Sequence, residues 1–100
     1  MRYLTFDFSE GDDGLTTIEA LASTTAADHA AVIDEVRHIM DWAWRRFPHT
    51  HGSADDGAEW DDDLQVRVED DRWHAVALTL TASARFVEAF LAEFGDPDAG

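Results

Sequence analysis

His49 and His51 stand two residues apart in a polar stretch, residues 48–60, that also carries Asp55, Asp56 and Glu59. Imidazole nitrogen and carboxylate oxygen both ligate Zn²⁺, Ni²⁺ and related divalent ions. The two histidines share a side only where the backbone is extended, because alternate residues of a strand face the same way. No further ligand stands at a diagnostic offset. The stretch therefore has two readings: a metal site built on His49, His51, Asp55 and Asp56, or a polar connection with no ligand. The acidic runs elsewhere do not follow the order or spacing of a calcium-binding loop.

The remaining candidate groups fall on structural positions. His29 lies on the apolar stripe of a helical pattern and His74 shares the phase of Val76 near a strand end, so both read as hydrogen-bonded structural histidines. His38 sits four residues from Asp34, the spacing of a surface pair on a helix. Ser9, Ser23, Ser53 and Ser83 fall at turn, strand-end, loop and capping positions, and no Gly-x-Ser-x-Gly elbow is present. The segment Gly11-Asp12-Asp13-Gly14 repels phosphate instead of cradling it. There is no cysteine, which removes disulfides, thiolate metal sites and cysteine nucleophiles. These patterns favour a non-enzymatic protein with no cofactor.

Charge narrows the partners. Asp and Glu number 22 against 7 Arg, with no lysine, for a formal net charge of -15. Small soluble domains commonly carry a net charge of roughly 2–8 in magnitude. A field of this sign repels nucleic acid and attracts basic proteins or cations, and it also serves as a solubility coat. No apolar run is long enough for a membrane span, and the alternating N-terminal residues lack the unbroken apolar stretch of a signal peptide. The expected location is the cytoplasm.

The elements that must position these groups follow a repeated rhythm, strand, acidic turn, strand, helix, first over residues 2–47 and again over 61–94. Leu4, Phe6 and Phe8 alternate with Tyr3, Thr5 and Asp7, a period of two that places the first three inward. In the second strand, residues 15–23, the inward row is Ile18, Ala20 and Ala22, because this phase keeps Glu19 out of the core and leaves Leu21 outside. Leu64, Val66 and Val68 repeat the inward alternation in the third strand, and Val76, Leu78 and Leu80 in the fourth, with Asp70 and Asp71 as a two-residue turn between them.

Thr25 and Asp28 resemble a capping box at the head of a long helix. Its apolar stripe is His29, Ile33, Val36, Met40, Ala43 and Phe47, widened by Val32, Ile39 and Trp44. On its outer face Arg37, Asp41 and Arg45 are spaced for ion pairs, and Pro48 stops it. A second helix follows Thr81 or Ser83 and carries Phe86, Val87, Phe90, Leu91 and Phe94 up to Gly95.

The expected fold is α+β: two ββα units forming a four-stranded antiparallel sheet with two helices packed on one face. A single domain covers residues 1–95, with a frayed tail at 96–100. The opposite sheet face then displays Tyr3, Leu21, Arg67, Trp73 and Ala75, together with Thr5, Ala77 and Thr79. An open antiparallel face is normally more polar than this. Exposed aromatic and aliphatic groups with a polar border mark interaction sites. The leading functional expectation is a small acidic protein-interaction module that binds itself as a homodimer or a basic partner. The alternative is a metal-binding protein or metal-assisted hydrolase that uses the His49/His51 loop.

Overall fold

The computed structural model describes residues 2–11, 13–69 and 72–95. Four antiparallel strands, β1 (Thr5–Glu10), β2 (Thr16–Thr25), β3 (Trp60–Glu69) and β4 (Trp73–Ala82), form one sheet in the order β1-β2-β4-β3. Helix α1 (Ala26–Arg46) follows β2 and helix α2 (Ala84–Phe94) follows β4, which makes the fold α+β. The second strand of each hairpin is central, and β1 and β3 are the edges.

Alternation decides which side chains are buried. Ile18, Ala20, Val76, Leu78, Leu80 and Ala82, all at even positions, join Val32, Val36, Ile39 and Trp42 of α1 and Phe86 and Phe90 of α2 in one core. Phe6 and Phe8 pack their rings edge-on against Phe90, at centroid distances of 5.4 and 6.0 Å. Such contacts add roughly 0.5–1.5 kcal/mol to simple burial. Leu21 lies outside the core, as the phase chosen for β2 requires.

Several expectations need correction. The strand row Leu64, Val66 and Val68 has the inward phase, opposite Leu78, Val76 and His74, yet these residues are 44–56% exposed. The helices lie against β2 and β4, and only the first residue of β3, Trp60, reaches the core. On α1 the buried stripe includes Trp42, whereas Trp44, expected at the edge of that stripe, is 45% exposed. The Thr25 side chain makes no capping hydrogen bond, so the capping box does not form. Arg37, Asp41 and Arg45 form no ion pair among the described residues; Arg45 Nε instead donates to the Asp41 carbonyl at 3.2 Å. The Asp70–Asp71 turn and the 96–100 tail lie outside the described residues.

The 48–60 connection is ordered by backbone pairing. The N–H groups of Glu59 and Trp60 donate to Thr50 O at 2.8 and 3.3 Å, and Gly52 N–H donates to Trp60 O at 2.9 Å. His51 thereby forms a parallel bridge with Trp60. A short 3₁₀ turn, Ala54–Asp56, closes the loop.

Candidate functional site

The odd-numbered residues of the sheet form a second surface whose shape follows from side-chain size. Cross-strand register places Thr5, Leu21, Ala77 and Gln65 in one row and Ser23, Ala75 and Arg67 in the next. The methyl groups of Ala75 and Ala77 are low points between taller side chains on β2 and β3. The result is a concavity of about 460 Å³ lined by Tyr3, Leu21, Gln65, Arg67, Ala75 and Ala77.

Its walls are held in place by local chemistry. Glu35 of α1 accepts hydrogen bonds from the backbone N–H groups of Tyr3 and Leu4 at 3.0–3.1 Å, which fixes the segment carrying the half-buried phenol. Thr5 Oγ1 donates to Leu21 O at 3.3 Å across the first hairpin. Arg67 reaches out from β3 with one long ion pair, Nη2 to Glu69 Oε1 at 3.7 Å. Trp73, half exposed, stands in the row beyond, between Thr25 and Glu69.

On the other side of the concavity the surface becomes acidic. The adjoining row is Asp7, Glu19, Thr79 and Asp63, with Asp7 directly opposite Glu19. Like charges facing each other across strands are destabilising by roughly 0.2–1 kcal/mol. None of these three carboxylates has an ion-pair partner among the described residues. Asp63 accepts a hydrogen bond from Gln65 Nε2 at 3.3 Å, and an apolar hollow bordered by carboxylates is chemically suited to an apolar side chain flanked by cations.

A second cluster lies where the ordered loop meets β3. His51 Nε2 is 2.6 Å from Asp62 Oδ1 and 3.3 Å from Asp61 Oδ1. The imidazole packs against two indoles that also touch each other, with centroids 4.6 Å from Trp44 and 4.5 Å from Trp60, and the indole rings 5.0 Å apart. One nitrogen and two carboxylate oxygens within 4.8 Å of one another could serve as three ligands for a divalent ion. Of the four residues singled out for a metal, only His51 is in this cluster; His49, Asp55 and Asp56 are exposed elsewhere on the loop. The sequence reading paired His51 with carboxylates of its own loop, whereas the parallel bridge to Trp60 carries it to the Asp61-Asp62 run.

His29 and His74 stack with ring centroids 4.6 Å apart. They do not behave fully as hydrogen-bonded structural histidines: His29 Nδ1, like the nearby strand hydroxyl Thr24 Oγ1, is buried without a partner among the described residues. His38 makes no pair with Asp34 there and instead approaches Phe94 edge-on at 5.8 Å.

Comparison with protein-family models, curated proteins and solved structures finds no match to this chain. Among the described residues no helix is long and apolar enough to cross a membrane.

Proposed function

We propose that the protein is a small acidic, non-enzymatic interaction module that receives a basic partner segment on its odd-numbered sheet face. In this reading the two ββα units direct both helices to the even-numbered rows, and the opposite face is free for binding. Tyr3, Leu21, Arg67, Trp73 and Ala75 form the contact surface. The proposal rests on the apolar concavity beside the row of Asp7, Glu19 and Asp63, which form no ion pair among the described residues. A chain with a net charge of -15 steers cationic proteins toward itself, and the hollow gives a bound apolar side chain a place to leave water.

A short peptide in which Arg and Leu alternate is a suitable probe, because an extended chain places the two residue types on opposite sides. The expected result is a change in Trp73 emission that disappears in Trp73→Phe. Affinity should fall about tenfold, or roughly 1.4 kcal/mol, in Leu21→Asp. Equal affinity for a Glu-Leu peptide, or no loss in Leu21→Asp, would remove the proposal.

The His51, Asp61 and Asp62 cluster favours a second reading, a divalent-cation site. Titration calorimetry with Zn²⁺ and Ni²⁺ should then show one equivalent bound, lost in His51→Ala and retained in His49→Ala. Bound Ni²⁺ should also quench the adjacent Trp44 and Trp60. Absence of binding heat, or binding that survives His51→Ala, would eliminate this site.

A further inference from the structure

We infer that the free edge of β3 is a self-complementary dimer interface, in which two copies pair antiparallel about a twofold axis through Gln65. Gln65 and Arg67 also border the open-face concavity, but the inference rests on the strand edge and does not depend on that reading.

The backbone supplies the first argument. β3 ends the sheet order and pairs with β4 in unbroken register from Trp60 to Glu69. Both the N–H and C=O of Trp60 point away from β4, because they bond to Thr50 O and Gly52 N–H of the loop. In a regular strand hydrogen-bonding direction alternates, so residues 62, 64, 66 and 68 also point their backbone groups outward. The Asp62 N–H is occupied by the Asp61 carboxylate at 2.9 Å. Beyond the loop the edge carries no proline or bulge, and its charges, which discourage edge pairing, cluster toward the two ends and leave Leu64, Gln65 and Val66 uncharged at the middle.

Side chains supply the second argument. Leu64, Val66 and Val68, on the even-numbered side, are 44%, 45% and 56% exposed. The outward-pointing positions are symmetric about Gln65, since 62 matches 68 and 64 matches 66. An axis there sets Leu64 against Val66 of the second copy twice over. On the odd-numbered side it sets Asp63 against Arg67 of the second copy, also twice. Moving the axis one residue to Val66 would instead place Asp63 opposite Glu69, so charge favours the Gln65 register over that one, and the Leu64–Val66 contacts favour it over an axis at Leu64, which sets Val66 against Asp62.

Two features limit the strength of this dimer. Asp61 falls opposite Glu69 of the second copy at each end, and two chains of net charge -15 repel. The contact of one strand and three apolar side chains per copy belongs at the lower end of interface sizes, below roughly 1,200 Å². The dimer is therefore weak and strengthened by salt, which screens the repulsion while leaving hydrophobic burial in place. An axis perpendicular to the sheet leaves the odd-numbered faces of both copies on one side, giving a bivalent platform.

Sedimentation velocity at about 1 M KCl, where the Debye length falls to roughly 3 Å, provides the test. The wild-type chain should show concentration-dependent dimerisation that weakens at low salt. Val66→Lys, at an exposed position, should be monomeric while its thermal melt remains cooperative. At about 0.15 M salt, where contact charges are less screened, Asp63→Arg and Arg67→Asp should each dimerise more weakly than the wild type, since each sets like charges face to face. Their equimolar mixture should dimerise, because both contacts become Arg with Asp again. A wild-type monomer at millimolar concentration, a Val66→Lys variant that still dimerises, or a mixture no more dimeric than its components would overturn the inference.

Discussion

Trp60 ties the loop to the core. Its ring is fully buried and stacks on Phe86 at 5.6 Å, while its Nε1–H donates to Phe47 O at 3.0 Å. Trp60→Ala should cost about 3–5 kcal/mol in urea unfolding, the range for a large core aromatic. Trp60→Phe keeps most of the ring but leaves the Phe47 carbonyl without its donor, and should cost about 1–3 kcal/mol. A Phe variant as stable as the wild type would show that the bond contributes nothing. Residue by residue, Ile18 and Leu21 were legible because a charged neighbour, Glu19, settled the phase of β2. His51 was only half legible: its type marked it as a ligand, but its partners come from a parallel bridge that no local pattern encodes.

Among the elements, helix starts offer a direct comparison. Ser83 Oγ accepts from Phe86 N–H at 3.2 Å at the head of α2, whereas Thr25 has the same extended backbone without a side-chain bond at the head of α1. Ser83→Ala should destabilise by about 1 kcal/mol, and Thr25→Ala by less than about 0.5 kcal/mol. Equal losses in chemical denaturation would contradict this assignment. At the other end of α2, Gly95 adopts φ 83°, a conformation that favours glycine, and returns its N–H to Leu91 O at 2.8 Å. Capping chemistry marks the end of α2 at Gly95 and narrows its start to Thr81 or Ser83, of which Ser83 makes the bond. The exposure of Leu64, Val66 and Val68 could not be read from the sequence, because alternation gives the face of a strand but not the extent of its cover. That extent depends on strand order, which places β3 at the edge.

At the scale of the whole molecule, electrostatics oppose compactness. Among the described residues only two Arg–carboxylate pairs form, Arg67 with Glu69 at 3.7 Å and Arg85 with Glu59 at 3.6 Å. Both are long, with exposed guanidinium groups, and pairs of this kind contribute roughly 0–1 kcal/mol. Pairs within the chain leave its net charge of -15 unchanged. Added KCl should therefore raise the melting temperature progressively as repulsion is screened. A melting temperature independent of salt would show that the carboxylates are neutralised in another way. The composition made this imbalance plain, but not its arrangement, with a carboxylate row beside an apolar hollow on one face and an apolar row at a free edge.

In the function proposed above, the odd-numbered sheet face binds a basic, apolar partner. Amide chemical-shift mapping with the alternating Arg-Leu peptide tests it most directly. The largest shifts are expected at Thr5, Leu21, Gln65, Arg67, Ala75 and Ala77, with little change at the buried even positions Ile18, Leu78 and Leu80. Shifts centred instead on the outer surface of α1, around His38, Asp41 and Arg45, or spread evenly over the acidic surface, would contradict it.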